Sequence, residues 1–253
     1  MKLGYLSTTD IARAVGVHPN TVRMYEKWGL LPAVPRSSSG YRLFTEAHLD
    51  QMRLARLAYV GPYPGTTVRR SADRLVRRAA SGDLGGALEQ AYGHLALIKS
   101  EQTHAEAAVR LLERWAQGKA ADATDRPLQI KDVARLMDLT TDTLRTWERE
   151  GLLRVPRSPS NGYRQYGPRE IGRLRVIRML RQSGYSTMSI LRILLHLDRG
   201  LQGDLRQVLD TPGPDEDVMS AADRLLSTLA EQETLALQMI SLLEEMIHKQ
   251  NNR

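Results

Sequence analysis

Residues 10–44 recur at 132–166, an offset of 122 without a gap. Thirteen of the 35 aligned positions are identical, among them Asp10/Asp132, Thr21/Thr143, Arg23/Arg145, Glu26/Glu148, Gly29/Gly151, Gly40/Gly162, Tyr41/Tyr163 and Arg42/Arg164. Ile11/Val133, Val22/Leu144, Tyr25/Trp147, Lys27/Arg149 and Phe44/Tyr166 keep their chemical character. Agreement of this density makes the chain a tandem duplication rather than one domain of 253 residues. Each copy must therefore close its own small core, and must do so on the same pattern.

Each copy reads as helix, tight turn, helix and hairpin. In the first copy Ser7 and Asp10 are spaced as a capping box. Ile11, Ala14 and Val15 follow at helical spacing, Gly16 is a C-terminal stop and Pro19 a second start. Val22 and Tyr25 then share an inward face, and Gly29 ends the second helix. Two helices joined by a turn of about four residues form a helix-turn-helix. The second copy runs the same way from Ile130 to Gly151, with Gln129 a weaker cap than Ser7. The stretch from Pro35 to Phe44, copied at Pro156–Tyr166, has a small polar tip between Pro-Arg and Tyr-Arg. This spacing predicts a short wing with arginine on both of its strands. Arg-rich third helices are predicted over about 45–58 and 167–182, and fourth helices over 66–80 and 187–198.

Charge is partitioned along the chain. Residues 1–78 hold 13 basic and 5 acidic side chains, and residues 126–200 hold 15 and 7. Residues 79–125 hold 4 and 7, and residues 201–253 hold 4 and 10. Two basic units separated by acidic ones suggest two footprints on a phosphate backbone. The acidic windows carry heptads: Leu88, Ala91, Leu95, Ile98, Gln102, Ala105, Val109, Leu112 and Ala116 in one. The other reads Ala222, Leu225, Leu229, Gln232, Ala236, Met239, Leu243 and Met246. Each describes a coiled-coil arm with one polar seam residue, or equally an amphipathic helix in a bundle. The organisation expected is a first head over 1–80, a first arm over 81–117, a linker over 118–127, a second head over 128–200 and a second arm over 201–253. A linker of about ten residues reaches roughly 33 Å, less than the length of an arm. The second head is thus expected near the far end of the first arm, and an antiparallel return would give a single-chain pseudo-dimer. The expected fold class is mainly α, with winged helix-turn-helix heads each followed by a long coiled-coil helix.

Composition removes several chemistries. The chain has no Cys, which excludes disulfides, thiolate metal sites and thiol redox sensing. No apolar run reaches the length of a membrane span, and the first residues lack a secretory signal. A soluble, intracellular protein with no membrane partner is expected. The 6 His residues are scattered, and no Gly-rich phosphate loop or nucleophile triad is present, so no catalytic residue, metal site or cofactor is assigned.

The sequence resembles the MerR family of bacterial transcription regulators. The resemblance is carried by Ala12-Arg13, Thr21-Val22-Arg23-Met24-Tyr25-Glu26, Gly29-Leu30-Leu31 and Gly40-Tyr41-Arg42. Thr143-Leu144-Arg145-Thr146-Trp147-Glu148, Gly151-Leu152-Leu153 and Asn161-Gly162-Tyr163-Arg164 repeat it. It implies a winged helix-turn-helix DNA-binding protein whose partners are double-stranded promoter DNA and, through distortion of that DNA, RNA polymerase. Bending and untwisting an over-long promoter spacer is the implied mechanism, with a DNA-bending architectural or recombination factor as the alternative. The resemblance places the second helix of each head in the major groove. Its candidate contacts are His18, Asn20, Thr21, Arg23 and Tyr25 in the first head. Thr140, Asp142, Thr143, Arg145 and Trp147 are their counterparts in the second. Arg36, Tyr41 and Arg42, with Arg157, Tyr163 and Arg164, would hold phosphates from the wings. Tyr25 and Trp147 suit the core as well as the groove. Asp142 either accepts from a cytosine amine or caps its helix, the cap being preferred. Asn20 against Asp142 and His18 against Thr140 suggest that the heads read unequal half-sites.

The loop Gly61-Pro62-Tyr63-Pro64-Gly65 departs from the second copy's Ser183-Gly184-Tyr185-Ser186. Arg69, Arg70, Arg74, Arg77 and Arg78 follow that loop, as a solvated face or an extra backbone-binding patch. A small-molecule effector is not demanded, but would lodge near Tyr59, Tyr63 or Tyr92. The chain is expected to act as a monomer and to associate with the nucleoid. The heptads also permit two chains to exchange arms.

Overall fold

The structure is a computed structural model that describes residues 4–118, 126–213 and 221–252. Most of the expected linker lies outside the described residues. The chain divides into two compact units. One holds the residues up to Ser100 together with those from Leu229 onward, and the other runs from Glu101 to Thr228.

In the first unit α1 (Thr8–Ala14) and α2 (Pro19–Lys27) form the helix-turn-helix. Ser7 caps α1 with the reciprocal box, its side chain accepting from the Asp10 amide while Asp10 accepts from the Ser7 amide. The caps of α2 and its counterpart α7 (Thr141–Arg149) come from His18 and Thr140. Nδ1 of His18 accepts from the Asn20 amide at 3.2 Å, and Oγ1 of Thr140 accepts from the Thr143 amide at 3.0 Å. The turn between the two helices requires a left-handed residue. Gly16 takes it at φ 68° in the first copy, and Asp138 at φ 50° in the second. A short polar side chain tolerates that conformation better than most, which lets the duplicated turn survive without its glycine.

The wings are single antiparallel bridges, Arg36 with Arg42 and Arg157 with Arg164. A second bridge ties each wing to the start of its unit, Leu6 to Phe44 and Leu128 to Tyr166. The second wing is one residue longer at its tip, because Arg157 is offset by 121 from Arg36 while Arg164 is offset by 122 from Arg42. α3 (Glu46–Tyr59) and α4 (Thr66–Ala80) complete the first head. α6 (Ile130–Leu136), α7, α8 (Pro168–Gln182) and α9 (Thr187–Asp198) form the second. Phe44, Ile11, Val22, Leu30, Met52, Leu54 and Leu75 fill the first core, and Val133, Leu144, Leu152, Tyr166, Ile171, Ile177 and Ile190 the second.

α5 (Leu84–Ala116) supplies the first arm. The second arm is shorter than expected over 201–253. α10 (Leu205–Asp210) interrupts that window, and the long helix α11 begins only at Leu225 and ends at Asn251. Gly200 and Gly203 have positive φ, Asp204 caps α10 through the Arg206 and Gln207 amides, and Pro212 follows. These breakers outweigh the heptad outside 225–251. Ala222 lies in a single 3-10 turn, where its carbonyl accepts from the Ser186 amide and the Ser189 hydroxyl. The carboxylate of Asp210 receives the Leu226 and Ser227 amides at the start of α11. It supplies the N-terminal cap from outside the helix.

Within the first unit α11 runs antiparallel to α5. The Tyr92 hydroxyl donates to Glu244 at 3.0 Å, whereas Lys99 pairs with Glu233 at 3.3 Å. The buried seam is Ala91 and Ile98 on one side and Gln232, Ala236, Met239, Leu243 and Met246 on the other. His94 is also fully buried on α5, and neither ring nitrogen has a hydrogen-bond partner. Burial pushes its pKa down from 6.5 to about 4, so it is neutral in the native state. The unfolded chain binds a proton there below about pH 6.5 while the native chain does not, so stability falls as pH drops. Wild type should lose about 2 kcal/mol more than His94→Leu between pH 7 and pH 5 in urea unfolding. Equal losses would mean that His94 is protonated in place.

Candidate nucleic-acid interface

Glu26 and Glu148, identical between the two copies, tie the wing to the second helix of each head. Glu26 on α2 accepts from Nε of Arg42 at 2.6 Å, and its other oxygen accepts from Arg36 at 2.9 Å. Glu148 on α7 accepts from Nε of Arg164 at the same 2.6 Å. In the second head Arg157 turns instead to the carbonyl of Gly162, at 3.2 Å. Both members of each Nε pair are only partly exposed. The wing is thereby latched to the second helix of the helix-turn-helix. Arg42 and Arg164 are thus anchors of the wing as well as cations beside it.

The C-terminal end of the same helix is held by different chemistry in each head. In the first, buried Gln51 donates Nε2 to the carbonyls of Leu30 and Val76, both at 3.0 Å. Arg77 donates to the Trp28 carbonyl at 2.7 Å and pairs with Asp73 at 2.8 Å. Asp73 also accepts from the Tyr59 hydroxyl. Burial would raise the Asp73 carboxyl, but hydrogen bonds from Arg77 and Tyr59 hold it below its ordinary range. Burial, reinforced by Asp73, drives the Tyr59 phenol well above its own, so it remains a donor. In the second head Arg173 stands at the position of Gln51. Its Nε donates to the Leu152 carbonyl at 2.7 Å while its two other nitrogens grip Asp198 at 2.6 and 2.9 Å.

On this scaffold the exposed faces of α2 and α7 present the expected groups. Asn20 and Arg23 are exposed and joined by a hydrogen bond of 2.9 Å from the guanidinium. Asp142 and Arg145 occupy the same positions and form an ion pair at 2.8 Å. Asp142 does not cap α7, because Thr140 already does. His18 and Thr140 are exposed at the caps, and Thr21 and Thr143 are half-buried beside them. Tyr25 and Trp147 are 6% and 8% exposed and belong to the core, not to the exposed face. They follow Val22 and Leu144 by three residues, which puts them on the inward stripe. At the wing tips Tyr41 and Tyr163 are 75% and 65% exposed, unusual for side chains of their size. Lys27 and Arg149 add exposed cations at the ends of α2 and α7.

The three tyrosines considered near an effector each have a hydroxyl partner. Tyr59 donates to Asp73, Tyr63 to the Ala58 carbonyl and Tyr92 to Glu244. The unusual loop after α3 also has a partner, since seam residue Gln232 donates to the Pro62 carbonyl at 3.0 Å. Among the described residues no group of three or more His, Asp or Glu side chains is placed to hold a metal, and no helix is long and apolar enough to cross a membrane.

Two heads of four helices, each with a latched wing, define the winged helix-turn-helix class. The family description "MerR HTH family regulatory protein" matches residues 6–58 and 128–197, one stretch in each unit. Both stretches match the helix-turn-helix region of that family, so the chain carries a MerR-type helix-turn-helix twice. The HTH-type transcriptional regulator CueR of Escherichia coli is 36% identical over 53 residues, 21% of this chain and 39% of CueR. The probable heavy metal-dependent transcriptional regulator of Haemophilus influenzae is 34% identical over 67 residues, 26% of this chain and 52% of its own length. The mercuric resistance operon regulatory protein of Serratia marcescens is 28% identical over 120 residues, 47% of this chain and 74% of that protein. The likeness to the first two thus spans only about half of their length or less. No solved structure matches the chain significantly. The names of the last two relatives mention metals, whereas this chain has no Cys to supply thiolate ligands.

Glu148→Gln should lower the stability of the second unit by about 1 kcal/mol, because the pair is partly buried and charge-assisted. A double-mutant cycle with Arg164→Ala should return coupling of that order. Coupling near zero would remove the latch.

Proposed function

We propose that this chain is a sequence-specific, double-stranded-DNA-binding transcription regulator, with both heads supplied by one polypeptide. It is a regulator rather than an enzyme. The observation that carries the reading is the repetition of one latched unit: a helix with an exposed polar–arginine pair, locked to a wing that presents arginine and an exposed tyrosine. Asn20 and Arg23, with Asp142 and Arg145, are assigned to base edges in the major groove. Arg36, Tyr41, Arg157 and Tyr163 are assigned to phosphates, and Arg42 and Arg164 hold the wings in place and add positive field. His18, Thr21, Thr140 and Thr143 position the helix ends against the backbone.

The regulatory step is bending and untwisting of promoter DNA, so that RNA polymerase is reached through the DNA rather than by contact. Rigid heads suit that task, since a deformation of several kcal/mol must be offset by contacts that do not relax. One chain then acts as a pseudo-dimer on one operator, beside the nucleoid in the cytoplasm. The extra arginines Arg69, Arg70 and Arg74, exposed on α4, extend the first head's phosphate contacts.

Footprinting on the DNA upstream of the protein's own coding sequence tests this. One protected site with two unequal halves inside the promoter spacer is expected. Protection away from any promoter would favour an architectural factor, and diffuse protection would exclude sequence-specific binding. Arg36→Ala should weaken binding to all sequences alike and reduce the salt slope by about one. An unchanged slope would remove the wing from the phosphate contacts.

A further inference from the structure

The first unit contains a cavity of about 220 Å³ bordered by α3, the end of α4, the start of α5 and the last turns of α11. Its apolar walls include Ala79, Leu84 and Met246. Its polar lining is Asp50, Gln51, Lys249 and Gln250. The Asp50 side chain is only 4% exposed, yet it carries a charge that must be neutralised where it stands. One oxygen is paired with Arg53 at 3.0 Å on the same helix. The other faces the Lys249 ammonium at 2.9 Å. Gln51 is 1% exposed; its amide nitrogen is spent on Leu30 and Val76, and its Oε1 has no hydrogen-bond partner.

The lining therefore holds more acceptors than donors. Lys249 is the one cationic donor in the lining and is spent on the Asp50 carboxylate, the Gln250 amide adds a donor and an acceptor, and the Gln51 carbonyl oxygen has no partner. Lys249 is half-exposed and sits three residues from the first residue beyond α11. A long side chain in a fraying last turn gives up its place at modest cost. α4 and α11 both end at this cavity, and the negative ends of their dipoles further favour a cation. The opposing positive end of α5 is already occupied, since Asp83 accepts from the Gly86 amide and pairs with Arg78.

From this arrangement we infer that the cavity is a binding site for a small organic cation with an apolar body, such as an aromatic amidine or amine. Its charged end replaces the Lys249 ammonium at Asp50, and a further N–H satisfies Gln51. Its apolar part fills the space between Ala79, Leu84 and Met246. Binding releases the tie from α11 to α3. Because Gln51 also holds the Leu30 carbonyl beyond α2, the ligand meets a residue that positions the helix-turn-helix. The site does not depend on the DNA-binding reading and is tested apart from it.

The test is isothermal titration of the full chain with benzamidine, beside neutral benzamide and anionic benzoate. Wild type should bind benzamidine at one site, and Lys249→Ala should tighten it about tenfold by removing the competing ammonium. Asp50→Asn should abolish binding, with its circular dichroism and melting checked against wild type. Benzamide and benzoate should not bind. Benzamide binding as well as benzamidine, retention of benzamidine by Asp50→Asn, or no tightening in Lys249→Ala would each overturn the site. If Asp50→Asn does not fold, the Lys249→Ala arm and the neutral analogue decide alone.

Discussion

Everything proposed for these heads depends on one ion pair, the arginine Nε of the wing on the glutamate of the second helix of the helix-turn-helix. It has the same length in both copies, 2.6 Å for Arg42–Glu26 and for Arg164–Glu148. Each wing is itself a single bridge with a solvated tip, tied at its base by the Leu6–Phe44 or Leu128–Tyr166 bridge. A two-residue ladder of this kind is marginal alone. The latch ties helix and wing together, so that the exposed faces of α2 and α7 keep a fixed spacing from the wings. It also means that Arg36, Arg42 and Arg164 are partly compensated by the glutamates, whereas Arg157 meets only the Gly162 carbonyl.

The two copies preserve this latch while varying what lies around it. The carbonyl beyond α2 or α7 is met by an uncharged amide in one head and by a guanidinium braced on Asp198 in the other. The exposed pair is Asn20–Arg23 in one and Asp142–Arg145 in the other, an amide replaced by a carboxylate. Such divergence on a constant frame is what separate tuning of two heads on one operator would leave behind. The arms carry their own specification. Gln232 is a polar seam residue that recognises the Pro62 carbonyl, and buried polar groups of this kind fix register at some cost in stability.

Much of this was legible in the residues. The repeat, the capping box at Ser7, the third and fourth helices and the seam from Ala91 to Ile98 follow from spacing and composition, because local periodicity and burial agree there. Tyr25 and Trp147 were ambiguous, since amphipathic aromatics suit both a core and a groove; the packing of Val22 and Leu144 decides for the core. Asp142 was misread as a cap because Thr140, two residues earlier, could serve equally and does. The window from 201 overstates the second arm: the heptad itself starts only at Ala222, and Gly200, Gly203 and Pro212 break the chain ahead of it. The latch itself was not derivable. Identity of Glu26 and Glu148 across the repeat was the available signal, but a contact 16 residues apart in sequence has no periodicity to reveal it. The cavity at Asp50 depends on α3 and α11 meeting, 199 residues apart at the Lys249 pair.

The central claim is that one chain brings two unequal heads to one operator. Native mass spectrometry of the full chain with a duplex carrying both half-sites tests it most directly, with duplexes carrying either half alone beside it. The account predicts one chain per full duplex and much weaker complexes with each half. Two chains on the full duplex, or a single half-site bound as tightly as the pair, would contradict it.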